Sequence, residues 1–167
     1  YLGRILTQVG DHEPAMAEFD AALALNPSFA MAHYGRGLVL TFQAHSEEAL
    51  EAIQTAMRLS PHDPQMWLFE MVSAIAEIQR GNNEEALAWG DKSVRHPAAG
   101  FYAHVARAVA LAYLGRDTEA QVARDKALEL KPDMSFAFLQ QTWPNWDEAA
   151  MKTVAEGMAK AGFVEPQ

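Results

Sequence analysis

The chain has 167 residues, half of them apolar, with 8 Pro, 10 Gly and no Cys. That is enough for one continuous core, and it excludes a disordered chain, a disulfide-built scaffold, thiolate catalysis and Cys-ligated zinc. A formal net charge of −9 argues against nucleic acid or an anionic membrane surface as partner, because both are held by clustered Lys and Arg.

Taken in chain order, the predicted elements come in pairs. Apolar periodicity and breaker residues place helices at about 1–9 and 13–25, 29–43 and 46–59, 64–80 and 83–95, 99–114 and 117–130, with a last helix near 146–161. Asn26, Ser28, Ser46, Asp63 and Asp117 are expected as turn or N-cap residues, whose side chains take unpaired first-turn amides. The most apolar stretch, Ala98–Gly115, is interrupted by His104 and Arg107 and reads as a buried helix rather than a membrane span. Tyr1–Gly10 shows no signal-peptide pattern, and Tyr1 is expected inside a helix, as if the chain were cut from something longer.

The pairs repeat. The segments Glu13–Pro27, Glu47–Pro61, Glu84–Pro97 and Thr118–Pro132 align on Ala15, Ala49, Ala86 and Ala120, spaced 34, 37 and 34 apart. Five residues before each stands Gly10, Ala44, Gly81 or Gly115, where a helix ends in a tight turn. Gly3, Gly37 and Ala108 lie twelve residues before their Ala partners, so each antiparallel helix pair carries small residues where two backbones approach. Pro27, Pro61, Pro97 and Pro132 stop the second helices.

A helix pair of this period, with Leu2-Gly3, Ala15-x3-Phe19, Ala22 and Pro27, then Gly37, Ala49-x3-Ile53, Ala56 and Pro61, resembles the tetratricopeptide repeat. The resemblance implies an all-α, right-handed superhelical solenoid. Its four units are a truncated 1–27, then 28–61, 62–97 and 98–132, followed by a C-terminal capping segment and helix at 133–167. His33 and His104 stand where Trp is common, Gly90 and Arg124 replace large apolar residues, and about one extra helical turn is expected between Trp67 and Gly81.

After Pro132, Phe136, Phe138 and Leu139 are expected to pack on the fourth unit, and Asn145 or Asp147 to start the last helix. The lead-in Pro132–Pro144 and the ending Ala155–Pro166, with Gly157, Met158, Ala159, Lys160, Ala161 and Gly162, resemble the tail of tetratricopeptide regions in bacterial class III adenylate/guanylate cyclases and winged-helix regulators. The Arg usual in that tail is missing. The likeness implies the regulatory C-terminal part of a larger bacterial signalling or transcription protein working in the cytoplasm.

Catalytic and metal chemistry find little support. Six His residues form no i, i+4 pair and no H-E-x-x-H motif, and Glu47-Glu48 and Glu84-Glu85 sit where first-turn acids offset the helix dipole. No enzyme activity, cofactor or metal is expected. Trp67 and Trp89 read as core, and Trp143 and Trp146, flanking Pro144, as a clamp docking the last helix.

The expected function is a protein-interaction scaffold that holds a protein, a peptide or a neighbouring domain of the same polypeptide, with self-association as the alternative. The groove lined by first helices is expected at Arg4 and Gln8; Tyr34, Leu38, Thr41 and Phe42; Leu68, Val72 and Ile75; and Tyr102, Val105, Val109 and Tyr113. Tyr34 and Tyr113 are expected as exposed anchors whose removal weakens association while leaving the fold nearly intact.

Overall fold

A computed structural model describes residues 2–164; Tyr1 and residues 165–167, with the expectations that fall on them, lie outside the described residues. The described chain is helical without strands: α1 (Leu2–Val9), α2 (His12–Leu25), α3 (Ala30–Phe42), α4 (Ser46–Leu59), α5 (Met66–Gln79), α6 (Asn83–Ser93), α7 (Phe101–Tyr113), α8 (Asp117–Leu130), α9 (Phe136–Thr142) and α10 (Glu148–Lys160). Helices α1 to α8 form four antiparallel pairs. The first helices α1, α3, α5 and α7 touch one another in series and form the inner surface, with α2, α4, α6 and α8 outside.

Each pair closes where the sequence places its tight turn. Gly10, Ala44, Gly81 and Gly115 all adopt positive φ, from 61° to 80°, a conformation that terminates a helix by turning the chain back. The small residues then let the helices of a pair meet. A Cβ on Gly37 would lie 2.5 Å from Ile53 Cδ1 and 3.1 Å from the Ala49 carbonyl oxygen. The aligned alanines Ala15, Ala49, Ala86 and Ala120 are all buried.

Three local expectations change. The extra residues of the third unit do not lengthen its first helix by a turn: α5 has 14 residues against 13 in α3 and α7. Most of them enter the connection between Leu59 and Met66, so the position equivalent to His33 and His104 is Glu70, not Trp67. Ser46 and Asp117 are first helical residues rather than N-caps; His45 and Arg116 precede them without a side-chain cap, and Ser46 Oγ instead donates to Gln79 Oε1 at 2.6 Å. Asn26 and Asp63 do serve as turn acceptors, for the amides of Ser28 (3.1 Å) and Gln65 (2.8 Å).

The third change shapes the molecule. Ser135 caps a helix, α9, absent from the sequence reading, by accepting from the Phe138 amide at 3.1 Å. Asp147 caps α10 by accepting from the amides of Ala149 and Ala150 at 2.8 and 3.2 Å. Helix α10 turns back across the concave side and touches α7, α5 and α3, while Met158, Ala161 and Phe163 share a buried cluster with Ala120, Ala123 and Ala127 of the fourth unit. Gly157 makes this approach possible, since a Cβ there would collide with Val109 Cγ1 and lie 2.7 Å from Tyr113 Cε2.

Candidate functional site

Inward-facing positions recur along the first helices at fixed distances from each tight turn, which stacks Arg4 and Gln8, Tyr34, Leu38 and Phe42, Leu68 and Ile75, and Tyr102, Val105 and Val109 on one surface. Together with the segment before α10 they enclose a pocket of about 340 Å³. Ten of the thirteen residues expected in the groove line it. The other three are placed elsewhere. Val72 has no exposed surface. Thr41 has none either, and its hydroxyl donates to the Gly37 carbonyl at 2.8 Å. Tyr113 lies under α10, where its hydroxyl donates to the Thr153 carbonyl at 2.6 Å.

Tyr34 lines the pocket but is no exposed anchor. It is 6% exposed and stacks on Phe69 with ring centroids 4.9 Å apart, and burial pushes its hydroxyl pKa up against a smaller opposing influence of Arg4. The expectation that Tyr34 can be removed with little thermal effect is therefore corrected, because truncating a buried aromatic typically costs about 3–5 kcal/mol. More accessible pocket positions are Leu38, Leu68, Ile75 and Tyr102, all half-buried.

The groove reading omits much of the wall, including Trp67, Phe101, Leu139, Trp143, Trp146 and Val154. Trp67, a core residue in the sequence reading, does pack against the buried cluster around Phe69, and its place four residues before Met71 on α5 also turns it to the inner face. The last four belong to a tail whose return path depends on contacts between units far apart in sequence.

Those contacts are specific. His12 Nε2 donates to the Asn145 carbonyl at 2.8 Å, Asn145 Nδ2 donates to the Gly10 carbonyl at 3.3 Å, and the Asp147 amide donates to the Phe42 carbonyl at 2.7 Å. Gly10 serves a second purpose here, since a Cβ would lie 2.7 Å from Asn145 Nδ2 and 3.0 Å from the Pro144 carbonyl oxygen. Phe42 meets Trp146 at 4.7 Å and Trp143 at 5.6 Å between ring centroids. Trp143 Nε1 donates to the Tyr102 hydroxyl at 3.1 Å, against which burial raises the Tyr102 pKa. Residues 143–147 thus form a strap from the fourth unit to the turns of the first two.

The wall chemistry is apolar with a polar mouth. Arg4, Gln8 and Gln65 are exposed at its edge, and among the described residues Arg4 forms no ion pair. The described residues contain no group of three or more His, Asp or Glu placed to hold a metal ion, and no described helix is long and apolar enough to cross a membrane.

The fold and its concave pocket define an α-helical repeat protein. Family models described as TPR repeat and tetratricopeptide repeat match residues 3–41 and 42–100 respectively, so the chain carries tetratricopeptide repeats. The crystal structure of YrrB, described as a TPR protein with an unusual peptide-binding site, is similar with a TM-score of 0.60 and 20% sequence identity, over 95% of this chain and 82% of that one. At that identity the likeness establishes the solenoid fold.

Proposed function

We propose that this chain is a non-catalytic scaffold that binds a peptide or protein partner by taking apolar side chains into the concave pocket. The observation that carries the reading is the pocket itself, walled by residues of all four inner helices and rimmed by Arg4, Gln8 and Gln65. Its volume is in the range of natural ligand sites. Among the described residues lining it there is no carboxylate and no imidazole, which suits burial of apolar groups better than acid–base work. YrrB, similar in fold, is described as having a peptide-binding site, and the net charge of −9 favours a partner other than nucleic acid.

Random-peptide display on the full chain tests this. Selected peptides are expected to carry apolar anchors and to lose about tenfold or more in affinity when Leu38→Trp fills the pocket, a change of about 1.4 kcal/mol or more. Peptides that bind this variant as tightly as the parent, with the fold intact, contradict the reading.

Self-association is a second reading, favoured by Leu2, Ile5 and Val9, each more than half exposed along one face of α1. A single monomeric species by sedimentation across a wide concentration range excludes it. The finer context, the regulatory C-terminal part of a larger bacterial signalling or transcription protein in the cytoplasm, is supported by the run Gly157–Gly162. Retention of a separately expressed bacterial class III cyclase domain or winged-helix domain on this chain tests that context, and no retention of either contradicts it.

A further inference from the structure

The strap occupies an inner surface that its own sequence only partly satisfies. Its main chain is held like a bound peptide, by the Asp147 amide on the Phe42 carbonyl and by His12 on the Asn145 carbonyl. Its side chains, Trp143 and Trp146, flank Phe42 three residues apart. Two features oppose the closed arrangement. Asn145 takes a left-handed φ of 65°, tolerated by Asn but less favourable than extended backbone. The indole N–H of Trp146 is buried without a hydrogen-bond partner, a loss that hydration on opening would recover.

We infer that residues 143–147 are an intramolecular occupant of a peptide seat, and that the partner is a segment with two aromatic side chains three residues apart, brought to one side by a left-handed residue between them as Asn145 does here, which displaces the strap. This rests on the concave pocket being the binding surface. The seat has a defined chemistry: the Phe42 carbonyl accepts a main-chain amide, Phe42 receives two rings, and the Tyr102 hydroxyl accepts an indole N–H. The missing side chain of Gly10 leaves room for backbone to lie on the first turn. Displacement also opens the pocket, because Trp143 and Trp146 are part of its wall. The tethered strap competes at high effective concentration, so an intact chain binds a free segment more weakly than one whose strap is loosened.

The probe is a fluorescein-labelled peptide with the sequence of Gln141–Ala149, titrated by anisotropy into the full chain and into the full-length Trp143→Ala/Trp146→Ala variant. The variant is expected to bind at least about tenfold more tightly than the parent, and a control peptide with both Trp replaced by Ala is expected not to bind. Equal affinities in two chains of matching circular dichroism overturn the inference. A second measurement needs no variant: excess peptide is expected to speed hydrogen exchange at the Asp147 amide of the parent chain, and an unchanged rate overturns it. If display-selected apolar peptides bind the parent, lose affinity on Leu38→Trp and are not displaced by the strap peptide, the pocket reading stands and the strap inference falls. If no peptide binds either chain, both fall.

Discussion

The Asp147 amide donates to the Phe42 carbonyl across 2.7 Å, tying the residue that caps the last helix to the end of the first helix of the second unit. That bond and the aromatic contacts beside it turn an open solenoid into one whose concave side is bridged. The tail of the chain is therefore part of the pocket wall.

The two strap tryptophans are expected to respond oppositely to replacement by Phe. Trp143→Phe removes the bond to the Tyr102 hydroxyl and should cost about 0.5–1.5 kcal/mol. Trp146→Phe keeps a ring against Phe42 while deleting the unpartnered buried N–H, so stability should be unchanged or higher. Urea unfolding of the two variants checks the order, and a larger loss for Trp146→Phe contradicts it.

Tyr34→Ala is expected to act on stability, lowering it by about 3–5 kcal/mol through loss of a buried ring. Calorimetry measures this directly. A drop below about 1 kcal/mol would return Tyr34 to the role of a free anchor.

Two glycines separate packing from backbone strain. Gly37→Ala forces a Cβ against Ile53 and the Ala49 carbonyl and should cost about 1–3 kcal/mol by overpacking. Gly81→Ala meets open space and only the strain of φ 77°, about 1–2 kcal/mol. Thermal unfolding is expected to show the larger loss at Gly37. The reverse order would mean that the second unit relaxes around the added methyl.

The pH dependence of stability should include His104. Burial, then the nearby charges of Lys126 and Arg107, pull its pKa below the ordinary 6.5, with Glu129 opposing. The folded state then binds fewer protons than the unfolded one, so the contribution of His104 is present above pH 6.5 and is lost as pH falls through the lowered value. Between pH 7 and 5.5 the parent is expected to lose more stability than His104→Gln, a comparison in which other titrating groups are common to both chains. Equal losses contradict the assignment.

The repeat was legible because its signals are local: Gly or Ala at a left-handed turn, a small residue opposite a large one, and Pro after each second helix. The inner surface followed from the same period, which is why Leu38, Ile75 and Val109 were found. Thr41 and Val72 were misplaced because each lies one position off the recurring inner stripe, where a helix rotates the side chain toward its neighbours. In the tail, Phe136–Thr142 has no preceding repeat to align with. The strap depends on contacts between Asn145 and Gly10–His12 that no local pattern encodes.

A partner that enters the concave pocket must perturb the methyl groups of its wall, which methyl chemical-shift mapping of the full chain with a display-selected peptide reads residue by residue. The largest shifts are expected at Leu38, Ile75, Val105 and Val109. Shifts confined to methyls of the outer helices α2, α4, α6 and α8, with these four unmoved, would contradict it.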